Sequence, residues 1–534
     1  MNLKPQSPHI TLLSITMSSI TNHIQKSTQT RLLSLPAKRD VNVSKRSMIP
    51  VLIIMLFIGL FQNSLWAQNS TVDMQEGDSV GVYKELKDLE WDLEEVITIA
   101  LANNPELKRA MLSVEDAEKL VFIAYSNLVP DISSFMNYTR NVEIPVNFIP
   151  ESVFDPNGDP NKLVPIAFGT DNNWQGGFTV EQNLFQGPAL VGVSTATIFR
   201  AVQTENYRAT TQQVITQVRQ AYYSILIAEE IMRLQQAQIE RLEENLAQNK
   251  KRAEAGLLDE YDVLRLEVQL SNQRPSLIQA SYDVAEAKRM LALIMGIPVE
   301  VNFEIKGILS QFDIYRSSAA EQANMGIKKI DRMTELPAQK LRKEWGLDEY
   351  RGDLRLLQAS LNLKDKEIQA EKARFLPVIT ASYNLQWSAA EPDEPTFFEN
   401  NARFQTIGVN VSMPLFSGWE RMANLQRVNI SKKDLLEQQR QAEENANHEV
   451  QTAIEQLDES FEIAQARKDA IEQAKTGYER AQLRLNNGLG STLEVTEALL
   501  QVREAERNYA QTVFTYLVAK ANYDLAIGKV PFVE

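Results

Sequence analysis

The sequence has no cysteine and only three histidines among its 534 residues. Without cysteine the protein can form no disulfide, no thiolate nucleophile and no cysteine-ligated zinc site. His9 and His23 lie in a segment that we expect to be removed, and His448 lies in a long polar helical pattern. One remaining histidine cannot build a multi-histidine metal site, and a solvated helix face explains His448 better than a general base does. We therefore expect no metal and no cofactor.

Several other features are also absent. The sequence contains no phosphate-binding loop, no G-x-S-x-G motif and no nucleotide-binding fingerprint, so we expect no enzyme. A net charge of −15 argues against nucleic acid as a partner. A mean hydropathy of −0.28 excludes a bundle of transmembrane helices. It leaves a transmembrane β-barrel open, because only half the residues of a barrel strand are apolar.

One apolar stretch lies near the start of the chain, at residues 49–61, and follows Lys45 and Arg46. Its 13 residues are too few to span a bilayer comfortably but suit the hydrophobic region of a secretory signal. We predict a leader over residues 1–67 and a polar tail over 68–90; the alternative is a buried core helix. Removal of the leader would leave 48 basic and 69 acidic residues, a net charge of −21. Because no cysteine follows the apolar stretch, we expect no lipid anchor.

The chain contains a long internal repeat. Three landmarks recur at an offset of 231 or 232 residues, and a fourth recurs in the same order at an offset of 247. They are L-F-x-G at 184–187 and 415–418, R-x-x-x-G-L at 252–257 and 484–489, a glycine at 296 and 528, and a proline at 130 and 377. Chance does not preserve register over several landmarks, so we infer two structural repeats. The fourth offset indicates a longer loop in the first half.

Each repeat is predicted to contain a helix, two strands and two long helices. In the first repeat, 91–296, these are helix 91–129, strands 131–140 and 174–185, and helices 190–255 and 257–295. In the second, 351–530, they are helix 351–376, strands 378–387 and 404–416, and helices 419–487 and 491–527. Residues 297–350 join the repeats. Residues 193–255 lack glycine and proline and carry a narrow apolar stripe, which is typical of coiled coils, whereas Pro275 should kink or break its helix.

The four strand patterns alternate apolar and polar residues and carry aromatic residues, as membrane-barrel strands do. The predicted aromatic belt consists of Tyr138, Trp174, Phe178, Tyr383, Trp387 and Phe404. A soluble antiparallel sheet would give the same alternation, but the export signal and the loops 141–173 and 388–403 favour the barrel. Four strands cannot close a barrel. Either the sheet is soluble or several chains complete one barrel, with eight strands from two chains or twelve from three.

The segment from Leu93 to Leu107, L-E-E-V followed by A-L-A-N-N-P-E-L, and the ordered landmarks together resemble a known family. Over about residues 91–530 the chain resembles the TolC-like outer membrane efflux proteins. The resemblance implies an α+β fold and a homotrimer, in which each chain gives four strands to an outer-membrane β-barrel and its helices to a long periplasmic α-helical barrel. Residues 297–350 would contribute to a belt around the helices.

The resemblance also implies a function. The trimer would be the exit duct of a tripartite efflux or type I secretion system, a passive conduit across the outer membrane that docks to a periplasmic adaptor and an inner-membrane pump. A periplasmic adaptor or envelope scaffold is the alternative, although an adaptor has one helical hairpin where this chain has two. An uptake porin would need eight or more strands in one chain.

Two groups of candidate site residues lie near the predicted hairpin turns. Glycine at a helix end supplies the left-handed cap, which is the purely structural interpretation. The resemblance implies that the tips also contact the adaptor, through Arg252, Gly256, Leu257, Arg484, Gly488 and Leu489. Glu494 and Glu497 lie three residues apart on one helix face. By resemblance they would face the bore at the periplasmic entrance, where six carboxylates from three chains would favour cations; a solvated charged face is the alternative.

Overall fold

The structure is a computed structural model that describes residues 90–256, 258–309, 312, 314, 346–392 and 401–530. The predicted leader, nearly all of the polar tail, most of the joint between the repeats and Leu257 lie outside these residues. The fold is α+β and consists of two repeats, each of which ends in a pair of long antiparallel helices. Among the described residues, no helix is both long and apolar enough to cross a membrane.

The elements follow the order of the repeats. Those of the first half and the joint are β1 Glu90–Trp91, α1 Leu93–Asn103, α2 Pro105–Ser126, β2 Asp131–Arg140, β3 Val146–Pro150, β4 Leu163–Ala167, β5 Asn172–Gln186, α3 Gly187–Glu254, α4 Glu260–Met295 and β6 Glu304–Ile305. Those of the second half are α5 Leu347–Tyr350, α6 Gly352–Ala373, β7 Val378–Glu391, β8 Asn401–Ser412, α7 Glu420–Asn486 and α8 Thr492–Ala526.

The single helix predicted over 91–129 is two helices, α1 and α2, with a break at Asn104 and Pro105. The residue before a proline is disfavoured in the helical region, and Asn104 has φ −54° and ψ 125°. Its Oδ1 accepts a hydrogen bond from the Leu107 N–H at 2.9 Å and so caps α2. Pro105 occupies the first turn of α2, where no N–H partner is needed. The Asn-Pro pair in the sequence is therefore a helix boundary.

Further elements differ from the prediction, and β7 runs to Glu391, four residues beyond its predicted end. Strand β8 is Asn401–Ser412 where 404–416 was predicted, so L-F-x-G lies outside the strand in the second half. Helix α4 continues through Pro275, so of the predicted kink or break the break does not occur. The predicted loop 141–173 contains the hairpin β3–β4, in which Phe148 pairs with Pro165. A two-stranded hairpin tolerates proline because each strand needs hydrogen bonds on one side only.

The strand pairs of the two repeats form one antiparallel sheet in the order β2-β5-β7-β8. Its centre is the pairing of β5 with β7, so the two repeats meet inside the sheet. Strands β2 and β8 are its edges, and neither has a partner on its outer side among the described residues. A second, parallel pair joins β1 to β6, which brings the start of the first repeat to the segment that follows it.

The core lies among the helices. The largest buried cluster combines the middle of α3, around Val214 to Ile227, with the end of α4 and parts of α1 and α8. Residues between the repeats complete this cluster: the Phe303 ring stacks on the Trp91 ring at a centroid distance of 4.9 Å, and the Tyr222 hydroxyl donates a hydrogen bond to the Lys306 carbonyl. The described part of the joint therefore packs on the helices.

A second kind of joint, which we call the helix-end joint, occurs once in each repeat, where the returning helix ends. Gly296 and Gly528 follow α4 and α8 with φ of 73° and 75°, a conformation that favours glycine. The Asn104 amide donates to the Ile294 carbonyl at 2.7 Å in the first half, and the Arg351 guanidinium donates to the Ala526 carbonyl at 3.1 Å in the second. Asn104 and Arg351 are 247 residues apart, the offset of the proline landmark. The repeat in the sequence is therefore a repeat of tertiary contacts.

Candidate functional site

The two helical hairpins turn at the predicted glycines. Gly256 and Gly488 have φ of 70° and 71°, and a Cβ added at either would meet no atom within 4 Å. At the second turn the Leu489 N–H donates to the Arg484 carbonyl at 2.8 Å, and the Gly488 N–H donates to the Leu485 carbonyl at 3.1 Å. These two bonds form a Schellman motif, which satisfies the last carbonyls of α7. The glycines therefore serve the turns and leave open space outside them.

The two tips are held together by side chains. Arg252, at the end of α3, donates from Nη2 to Asn486 Oδ1 at the end of α7, at 2.8 Å. At the beginnings of α4 and α8, the Thr492 hydroxyl donates to Asp262 Oδ1 at 3.0 Å. The Asp262–Thr492 contact was not predicted, although Asp262 stands at the repeat offset from Glu494. The tips of one chain thus form a single polar-linked surface.

The two predicted entrance carboxylates differ in their surroundings. Glu494 Oε2 lies 3.4 Å from Arg484 Nε across the turn, so its charge is paired within its own hairpin. The Glu494 N–H also bonds to Ser491 Oγ at 3.3 Å, the cap of α8. Glu497 is exposed one turn further on, and no ion pair joins it to any residue that the structure describes. Of the two, Glu497 offers the unpaired charge.

Leu489 is the large apolar side chain among the described tip residues that were predicted to contact the adaptor, and 72% of its surface is accessible. Arg484 donates to the Leu489 carbonyl at 3.1 Å, so the same guanidinium fixes the turn and pairs Glu494. Leu257, its counterpart in the first turn, lies outside the described residues. The second tip therefore presents an apolar side chain on a well-fixed turn.

Far from the tips, charged side chains connect the helices. Arg219 pairs with Asp524 at 2.7 Å and joins α3 to α8. Burial raises the pKa of Asp524, and the attraction of Arg219 only partly opposes this. Arg351 pairs with Asp353 at 2.6 Å and with Glu449 at 2.8 Å. Burial would raise the pKa of Asp353, but the Arg351 hydrogen bonds and charge outweigh it and lower the pKa.

The register of the sheet separates its residues onto two faces, because directly paired residues point to the same side. We define the apolar face by Ile132, Met136, Tyr138, Phe178, Val180, Ile379, Tyr383, Leu385, Trp387, Ile407, Val409 and Val411. Polar residues on the same side include Ser134, Gln182, Arg403 and Gln405. The opposite, polar face carries Ser133, Asn137, Thr139, Gln175, Thr179, Thr380, Ser382, Asn384, Gln386, Thr406, Asn410 and Ser412, together with the apolar Phe135, Val378 and Phe404. One apolar and one polar face are what a strand between lipid and a water-filled lumen requires.

Five of the six predicted belt residues, Tyr138, Trp174, Phe178, Tyr383 and Trp387, share the side of the apolar face. Phe404 pairs with Gln386, so its side chain lies on the polar face, opposite the other five. The alternation within β8 carried this signal, because Ile407, Val409 and Val411 are odd-numbered. Trp174 is only 3% exposed, so within this chain its ring is covered.

Long helical hairpins attached to a sheet with one apolar and one polar face fit the outer-membrane channel that the sequence resembles. The profile of the family described as "Outer membrane efflux protein" matches residues 96–297 and 348–529. The chain belongs to that family. It therefore lies in the outer membrane and extends into the periplasm, where it serves as an export channel.

Individual relatives are distant but match over most of the chain. The outer membrane protein TolC of Salmonella enteritidis is 20% identical over 444 residues, which are 82% of this chain and 82% of that protein. The alkaline protease secretion protein AprF of Pseudomonas aeruginosa is 21% identical over 433 residues, 80% of this chain and 83% of that protein. The crystal structure of the CmeC outer membrane channel of Campylobacter jejuni covers 82% of this chain and 85% of its own, with a TM-score of 0.64 and 17% identity.

Proposed function

We propose that three copies of the chain form one continuous, passive exit duct for a tripartite efflux or type I secretion system. The observation that carries this proposal is the four-stranded sheet with two open edges. In lipid, each unpaired backbone group costs several kcal/mol, so an open edge needs a partner. Strands β2 and β8 run in opposite directions, so β8 of one copy can pair antiparallel with β2 of the next.

The proposed number of copies follows from the width of the lumen. Two copies would give eight strands, and a barrel of about eight strands is just wide enough for side chains to fill it. Three copies give twelve strands and a wider bore lined by the polar face. The relatives that match most of the chain include an alkaline protease secretion protein, so secreted proteins as well as small molecules are candidate cargo.

The helix tips are the proposed docking surface for a periplasmic adaptor, which would connect the duct to an inner-membrane pump. The tip surface comprises Arg252, Gly256, Leu257, Arg484, Gly488 and Leu489. The open space outside Gly256 and Gly488 supports this role, because it lets another hairpin approach the backbone closely. Glu497 forms no ion pair with any residue that the structure describes and is the proposed main contributor to cation preference at the entrance. Glu494 contributes less because Arg484 pairs with it.

The test combines oligomeric state with conductance. Protein extracted in detergent should be trimeric by mass and should form channels in a planar bilayer. An adaptor or scaffold would form no channel, and a porin would form one without depending on the helix tips. A water-soluble monomer that does not conduct would contradict the proposal.

The docking surface has its own test. Replacing Leu489 with serine should reduce export in cells while single-channel conductance stays unchanged. Leu483→Ser is the matched control, because Leu483 is also exposed but lies on the α7 side of the turn. Equal loss of export in both variants would argue against a specific contact at the tip.

A further inference from the structure

Two phenylalanine rings lie on the polar face of the sheet, where their neighbours are polar or small. Phe135 on β2 pairs with Gly177, and Phe404 on β8 pairs with Gln386. Because Gly177 also pairs with Gln386, all four residues belong to one hydrogen-bonded row across the sheet. Val378, the third large apolar residue of this face, lies at the end of β7 and outside the row. The row therefore carries one ring at each edge of the sheet.

Packing within the sheet explains the Phe135 ring but not the Phe404 ring. A Cβ at Gly177 would lie 2.3 Å from the Leu385 carbonyl oxygen, so only glycine fits there, and an aromatic residue opposite a strand glycine covers its bare backbone. Phe135 is half-buried, which agrees with this use. Phe404 is 55% exposed and pairs with Gln386, so it has no paired glycine to cover. An apolar ring that is exposed on a polar face calls for another use.

Closure of the proposed barrel would bring the rings of three copies around one bore. At a strand tilt of about 40°, twelve strands spaced about 4.8 Å apart enclose a bore about 24 Å wide between backbones. Strands β2 and β8 are three spacings apart, so Phe135 and Phe404 would differ in height along the bore by about 9 Å. Three copies would thus place two tiers of rings in a bore lined mostly by small polar side chains.

The formal charge of the polar face is negative. Asp131 and Glu181 pair directly across β2 and β5, and they are the only charged residues on this face in the described part of the sheet. Asp131 lies about 13 Å from Phe135 along the strand. Carboxylates on a wall raise the local concentration of cations, and an aromatic ring attracts a cation over its face. A permeant that is both cationic and aromatic would be attracted by both groups.

We propose that Phe404, together with Phe135, forms a binding subsite inside the barrel for cargo molecules that are aromatic organic cations. The inference rests on the proposed function, because the polar face lines a bore only if copies of the chain close a barrel. The rings supply apolar and cation–π contacts at exposed positions, so the subsite holds such a molecule weakly. Weak binding suits a duct, since a permeant must enter readily and still leave.

The cysteine-free sequence allows a protection experiment on the full protein in lipid vesicles. A single cysteine replaces Thr406, which lies on the polar face two residues from Phe404, and reacts with a water-soluble methanethiosulfonate. Tetraphenylphosphonium should slow this reaction, whereas tetramethylammonium, which has the same charge but no rings, should not. A cysteine that replaces Asn410, six residues from Phe404 on the same face, should stay unprotected.

Substitutions at Phe404 test the ring itself. In the Thr406→Cys protein, Phe404→Ser should raise the concentration of tetraphenylphosphonium that halves the reaction rate by about fivefold, because one cation–π contact is lost. Phe404→Leu keeps the apolar bulk, disturbs folding less than serine does, and should raise that concentration in the same direction. Val409→Ser is the matched control, because Val409 is 65% exposed on the opposite face of β8, and it should leave the concentration unchanged.

The outcomes separate the two proposals. Absence of protection at 406, equal protection at 406 and 410, or equal protection by tetramethylammonium would overturn the subsite and leave the duct intact. Unchanged protection in both Phe404 variants would overturn it as well. If a cysteine at 406 does not react with the water-soluble reagent while one at Gln405, on the other face, does react, the polar face lines no water-filled bore. The duct itself would then be wrong.

Discussion

The two repeats have the same outline but are joined by different chemistry where their returning helices end. In the first repeat a neutral amide, Asn104, binds the end of α4, whereas in the second a buried guanidinium, Arg351, binds the end of α8. Arg351 also pairs with Asp353 and Glu449, so the second joint ties α6 to α7 as well. A repeated fold thus constrains the position of a contact and leaves its chemistry free.

The two contacts should also differ in how strongly they respond to salt and pH. A neutral hydrogen bond responds little to salt or pH, whereas an ion-pair network that is partly open to solvent responds to both. The second hairpin is therefore the one whose attachment should depend on solution conditions.

The joint glycines should be the most sensitive positions in both repeats. An alanine Cβ at 296 would lie 2.5 Å from the Asn103 carbonyl oxygen, and one at 528 would lie 2.5 Å from the backbone nitrogen of Arg351. Both positions have positive φ. Gly296→Ala and Gly528→Ala should each lower the free energy of unfolding by roughly 2–4 kcal/mol, measured by thermal melting in detergent. Gly256→Ala and Gly488→Ala are the controls, with the same φ but open space, and should cost about 1 kcal/mol. Equal losses at all four sites would show that the close contacts do not matter.

Removing the side chain that binds the helix end should cost more stability in the second repeat than in the first. Arg351→Met should cost about 2 kcal/mol because it leaves two carboxylates and a helix end without their partner, while Asn104→Ala should cost about 1 kcal/mol. The cost of the arginine change should shrink in molar salt, which screens the natural ion pairs, and the cost of the asparagine change should not. Melting curves at low and high salt test this. The same salt response in both variants would remove the contrast.

The stability of the fold should depend on pH through the helix-end joint of the second repeat. The pKa of Asp353 is lowered in the folded chain, because the Arg351 hydrogen bonds and charge outweigh the effect of burial. Its carboxylate therefore contributes stability above the usual aspartate pKa, and this contribution is lost as the pH falls through the lowered value. Asp353→Asn should be less stable than the natural chain near neutral pH, and the two should converge in acid. For Asn104→Ala the difference should stay constant; convergence there too would refute this assignment.

The smallest effect is expected at the entrance. Glu497→Gln should lower the cation-to-anion permeability ratio by about a factor of two, measured from reversal potentials in a salt gradient. Glu494→Gln should change it less, because Arg484 already pairs with that carboxylate. The double variant should resemble Glu497→Gln. A larger shift for Glu494→Gln than for Glu497→Gln would show that the ion pair is broken in the open channel.

The sequence allowed the outlines of both repeats to be predicted, because glycine, proline and strict alternation mark local structure directly. It also located the hairpin turns at Gly256 and Gly488. The hairpin β3–β4 was not predicted because its prolines, Pro150 and Pro165, argue against strands in any local interpretation. The Arg351 network was not predicted for a different reason. Its partners are up to 175 residues apart, and no local pattern reports which distant groups will meet.

The position of β5 beside β7 has a consequence for the order in which the chain folds. Thr179 and Asn384, which hydrogen-bond across this pair, are separated by 205 residues. Each helical hairpin can form from contiguous chain, but the centre of the sheet must wait until the second repeat exists, and its loop-closure entropy must be overcome first. The edges β2 and β8 can pair with other copies of the chain only after β5 and β7 have paired. We therefore expect the helices to form early, and a chain that stops before β7 to retain a long hairpin but no sheet that a membrane could accept.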